Sequence, residues 1–157
     1  MESASLNLVK KELSHLSQLE LIEICLRLSR YKRENKELLS YLLFNAQNEQ
    51  DYIEKVKLYI DNQFDGIITL NLYIVKKTLR KILKSVTKFS KFSALKPTEI
   101  ELLIYFCSKM KELKYHNTSN SLLTNLYQQQ LIKINKIVEK LHEDLQFDYK
   151  KEIEQLN

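Results

Sequence analysis

Glycine and proline each occur once in 157 residues, as Gly66 and Pro97. Hairpins and sheet corners draw on Gly, Asn-Gly and Pro for their turn geometry, so their scarcity argues against strands and for an all-α chain. With one glycine, phosphate-cradling loops of the G-x-x-x-x-G-K-[ST] or G-x-G-x-x-G kind are excluded, and H-E-x-x-H and G-x-S-x-G are also absent. The notable apolar run, Leu102 to Cys107, is far short of the roughly 20 residues a membrane span needs. The start, MESASLNLVKKELSHL, carries Glu2 and lacks a continuous apolar stretch, so a secretory signal is not expected.

Cysteine is scarce too. Cys25 in "LIEICLRL" and Cys107 in "LLIYFCSK" sit in separate apolar helical patterns, outside any C-x-x-C spacing. They are expected to be free, buried thiols in a reducing cytoplasm, although spacing alone leaves one disulfide open.

What is present is helical patterning. Apolar residues at 44% and charged residues at 29% describe a globular chain with material for one core. Ser17-x-x-Glu20 and Thr98-x-x-Glu101 have the spacing of capping boxes, the second following Pro97, and Asn48-x-x-Asp51 is a weaker start. From Ser17 on, Leu21, Ile24, Leu28, Tyr31, Asn35, Leu38 and Leu42 keep three- and four-residue steps, which predicts one helix over 17–46, the alternative being a break near Ser29. Further helices are expected near 5–14, 49–63, 69–91, 98–115 and 119–154, the last along Leu123, Tyr127, Ile134, Ile137, Leu141 and Leu145. The expected architecture is a single irregular bundle of about five to six helices over 1–157, with a polar tail at 147–157 that frays or projects.

Charge is uneven. Residues 51–100 hold ten basic and five acidic side chains, whereas both flanking thirds are balanced, and no acid occurs between Asp65 and Glu99. At about 100° per residue, Lys77, Arg80, Lys81, Lys84, Lys88 and Lys91 gather opposite Leu72, Val75, Leu79, Ile82, Leu83, Val86 and Phe89. Their row is about 21 Å long, enough to follow several phosphates of a nucleic acid without reading bases. The plainer reading is a wet helix face neutralised by acids from neighbouring helices. Phe89 and Phe92, beside Lys88 and Lys91, are either stacking surfaces or packing. The broad apolar side, with partner helices to cover it, disfavours a membrane surface.

Glu12-Leu-Ser-His15 and Glu139-Lys-Leu-His142 have the Glu-x-x-His spacing of di-metal bundles. Both, however, point away from their helices' apolar stripes, and His116 falls in a loop, so no metal, cofactor or small-molecule substrate is expected. The acids around His142, namely Glu143, Asp144 and Asp148, read as a solvated face rather than a catalytic cluster.

The stretches "LELIEICLRLSRYKRENKELLSYLLF", "LYIVKKTLRKILK" and "TEIELLIYFCSKMKELK" together resemble a family of small all-helical bacterial proteins with no assigned activity. That resemblance implies a stand-alone cytoplasmic protein and no residue roles. The function expected is a non-enzymatic helical interaction module that binds a partner protein or itself, with Leu123, Tyr127 and Ile134 as candidate contacts if the bundle leaves them open, although they read first as core. The alternative is sequence-independent binding of nucleic acid by the six cations.

Overall fold

The computed structural model describes residues 2–68, 71–113 and 121–156, and among them finds eight helices and no strand. These are α1 (Leu6–Leu13), α2 (Gln18–Tyr31), α3 (Arg33–Phe44), α4 (Glu49–Asp65), α5 (Leu72–Ser93), α6 (Lys96–Glu112), α7 (Ser121–Val138) and α8 (Glu143–Glu154). Where one bundle over 1–157 was expected, the packing divides into two compact units, Met1–Asn45 and Ala46–Asn157.

Four helix starts, those of α1, α2, α4 and α5, follow their capping chemistry. The Ser17 N–H donates to Glu20 Oε2 at 2.8 Å and the Glu20 N–H to Ser17 Oγ at 3.4 Å, a complete capping box. Asn48 accepts from the Asp51 N–H, and Asn71 from those of Tyr73 and Ile74. Thr98 departs from expectation. Helix α6 begins earlier, at Lys96, with Pro97 in its first turn, and Thr98 lies buried inside it, its hydroxyl donating to Glu49 Oε1 at 2.6 Å. A tertiary acceptor 49 residues away took the hydroxyl that the local pattern assigned to a cap.

In the second unit α6 is central, packing against α4, α5 and α7 and burying Ile100, Leu102, Leu103, Phe106 and Cys107 completely. Ile60 of α4, Val75, Leu79 and Val86 of α5, and Ile134 of α7 close the core at 0% exposure. The chain turns from α5 to α6 at Ala94, which holds the left-handed conformation at φ 59°. Gly66, by contrast, ends α4 in an ordinary right-handed conformation.

The helix expected over 17–46 is two helices. Lys32 is extended, at φ −140° and ψ 140°, and α2 and α3 pack against each other across it. Asn35, assigned above to the apolar seam, donates from Nδ2 to the Leu28 carbonyl at 2.9 Å, satisfying an acceptor that the break releases. The helix expected over 119–154 is likewise broken, at residues 139–142. There the Gln146 side chain donates to the Leu141 carbonyl at 2.9 Å and to that of Glu139 at 3.4 Å. The chain folds back so that the Tyr127 hydroxyl donates to the Leu156 carbonyl at 2.6 Å. Of segment 147–157, read as a tail that frays or projects, the described residues 147–156 hold most of α8 and bury Ile153 and Leu156. Burying two such side chains contributes about 3–6 kcal/mol, which outweighs the few hydrogen bonds that an unbroken helix would add.

Candidate functional site

Two surfaces stand out, one in each unit. On α5, Val75, Leu79, Ile82 and Val86 are buried, and Asn71 caps the helix so that this face stays in register with the core. Lys77, Arg80, Lys81, Lys84 and Lys91 consequently emerge on the exposed side. Lys88 differs from the other five. It is half-buried, with Nζ 4.8 Å from the Phe89 ring centre and 5.9 Å from that of Phe92. Phe89 meets Tyr59 edge-on at 5.3 Å and Phe92 at 6.1 Å, so both rings are engaged in packing.

Several acids of the second unit are held by other lysines. Lys57 holds Glu101 at 2.7 Å and Glu54 at 2.9 Å, and Lys109 holds Asp61 at 3.0 Å and Glu112 at 3.2 Å. Lys133 and Lys96 share Glu99 at 2.9 and 3.0 Å. Burial works against the charge on Glu99, but its hydrogen bonds to Lys133 and Lys96 prevail and leave its pKa below the usual carboxylate value. Among the described residues no ion pair brings a carboxylate to Lys77, Arg80, Lys81, Lys84 or Lys91. The charge of this face is left to solvent.

The first unit presents the opposite surface. Helices α1 and α2 bury no side chain, and α3 buries only Tyr41. Leu19 is 75% exposed, Leu28 55%, Tyr31 79% and Phe44 77%, with Ile22, Ile24, Leu26, Leu38, Leu42 and Leu43 also in water. A groove of about 300 Å³ runs between Cys25, Leu28, Leu38 and Leu42, floored in part by Asn35. A second, of about 320 Å³, lies among Ile24, Arg27, Leu28 and Tyr31. The two share Leu28, making one apolar face. Cys25, expected to be buried, is exposed on this groove, whereas Cys107 is fully buried and its thiol is pushed up to about 12 by desolvation.

Leu123, Tyr127 and Ile134, considered above as contacts, are core residues of the second unit. The exposed face of α2 and α3 was missed because its residues were assigned to the inner seam of a long helix. A signal for it was present: Leu19, Leu21, Ile22, Ile24, Cys25, Leu26 and Leu28 cover well over half the circumference of α2, more than one neighbour can bury.

The second unit also holds a cleft of about 470 Å³ lined by Lys57, Glu101, Tyr105, Asp148, Tyr149 and Glu152 among others. Desolvation, with Glu101 and Asp148 nearby, raises the Glu152 pKa, while Lys57 opposes the shift. Desolvation and the same acids raise that of Tyr149. Lys57 in this cleft pairs with Glu101 at 2.7 Å and with Glu54 at 2.9 Å. His15 and His142 are exposed, His142 Nδ1 lying 3.3 Å from Asp144, and His116 falls outside the described residues. Among the described residues no three His, Cys, Asp or Glu side chains are grouped to hold a metal ion, and no helix is long and apolar enough to cross a membrane.

No protein-family model matches the chain, and no curated protein or solved structure is significantly similar to it.

Proposed function

We propose that the chain is a non-enzymatic helical interaction module whose contact surface is the apolar face of α2 and α3. One observation carries this reading: a 45-residue unit in which a single described side chain, Tyr41, belongs to the buried hydrophobic set. So small a unit hides too little of its surface to be stable alone, and contiguous apolar patches on monomers mark partner sites. The proposal extends to a bacterial, cytoplasmic protein of the helical family that the quoted stretches resemble.

Thiol labelling tests it in the full-length protein. In dilute solution Cys25 should react readily and Cys107 only on unfolding, and an environment-sensitive apolar dye should bind, with Leu28→Ser plus Leu42→Ser reducing its signal several-fold. A Cys25 shielded in dilute solution, with no dye bound, contradicts the reading.

A second reading is supported by the five exposed cations of α5, to which no described carboxylate is paired: sequence-independent binding to a phosphate backbone. Five phosphates contacted on a duplex give a log K against log salt slope of about −4.5. A flat salt response excludes it.

A further inference from the structure

We infer that the occupant of the α2–α3 face is a second copy of this chain, laid antiparallel along α2 about a two-fold axis. The inference rests on the reading of that face as an interaction surface and goes further by naming its partner. Charge order along α2 is the first reason. Glu20 and Glu23 lie in its N-terminal half, Arg27 and Arg30 in its C-terminal half. A second α2 running the opposite way sets the acids of each copy beside the bases of the other, twice over by symmetry, whereas a parallel copy sets like against like.

The apolar residues have the same self-complementarity. Ile24 and Leu28 lie four residues apart on the second groove, so a two-fold axis near residue 26 places Ile24 of one copy on Leu28 of the second copy, with Arg27 at the rim. Leu38 and Leu42 of α3 continue that face through the groove they share with Leu28. Area is the third reason. Ile24, Leu28, Tyr31, Leu38 and Leu42 are 36–79% exposed. They offer on the order of 500 Å² per copy, and the charged rim brings this near the roughly 800 Å² per partner of a standard interface. Two hairpins so joined form a four-helix arrangement in which the grooves become core.

The test follows mass by sedimentation equilibrium, and Cys25 labelling, on the full-length protein from about 1 to 200 µM. The expected result is a rise from monomer to dimer over that range, accompanied by at least a tenfold slowing of Cys25 labelling. L28E/L42E should remain monomeric at every concentration while keeping the cooperative unfolding of the second unit. R27E/R30E and E23K should each dimerise at least tenfold more weakly, and an equimolar mixture of the two should recover the dimer. A wild-type monomer whose Cys25 reacts freely and which binds dye overturns the second copy and leaves the interaction surface standing. A monomer with Cys25 shielded throughout overturns both. A dimer unaffected by L28E/L42E, or a mixture that stays monomeric, also overturns the inference.

Discussion

Helices α2 and α5 are both amphipathic, yet they resolve that property in opposite ways. On α5 the apolar side faces α4 and α6, and Val75, Leu79 and Val86 reach 0% exposure while five cations stand in water. Helix α2 packs against α3 alone among its strong contacts, and no residue of it is buried. Periodicity therefore states that a face exists, and the number of neighbours decides whether the chain covers it. Among the described residues the second unit has five helices, three of which pack on the central α6; the first has three short ones.

Paired truncations sharpen this contrast most. Leu79→Ala should cost about 2–5 kcal/mol in denaturant unfolding, whereas Leu28→Ala, measured in dilute protein, should fall within about 0.5 kcal/mol of wild type. Equal losses at the two positions would mean that α2 is covered as α5 is.

Alkaline unfolding probes the covered side next. The Cys107 thiol is pushed up to about 12 by desolvation, and the Tyr127 hydroxyl, also desolvated and near Cys107, likewise to about 12. In an unfolded chain these groups ionise near 8.5 and 10. Raised folded pKa values mean that the native state retains protons the unfolded state has lost. The contribution is intact below pH of about 8.5 and is lost as pH climbs toward 12. Cys107→Ala should flatten part of that decline, read as unfolding free energy against pH from about 8 to 11.

The exposed side of α5 responds differently. Lys77→Gln, Arg80→Gln, Lys81→Gln and Lys84→Gln should each change stability by less than about 0.5 kcal/mol, yet reduce the magnitude of the salt slope for duplex binding by about 0.9. Unchanged slopes across the four variants remove the phosphate reading. A change of opposite sign is expected at the α5–α6 turn. Ala94→Gly should stabilise the second unit by about 0.5–1 kcal/mol, since glycine accepts the left-handed conformation without the Cβ penalty; a loss of stability would show that Ala94 packs rather than strains.

Much of this architecture is legible from local chemistry. The all-α class follows from the scarcity of Gly and Pro, and α4 starts one residue after the Asn48 cap. The division of α5 into core and cationic faces follows from 100° spacing, and Leu79 and Arg80 fall where the wheel puts them. The break at 139–142 was not legible, because it carries no Gly or Pro and the apolar steps continue through it; for 17–46 a break near Ser29 stood as the alternative, and the observed one falls three residues on, at Lys32. At Thr98 a half-buried tertiary acceptor, Glu49, prevailed over a well-formed local motif. For the candidate surfaces, the cations could be named from sequence, whereas the α2–α3 face was signalled only by the breadth of the apolar surface on α2, because the same residues would form a core if the helix continued.

Amide hydrogen exchange of the full-length protein, compared between dilute and concentrated solution, bears most directly on the open face of α2 and α3. Exchange over residues 18–44 should slow markedly on concentration while residues 72–93 stay unchanged. Strong protection over 18–44 already present in dilute protein, and independent of concentration, would contradict an apolar face left open for a partner.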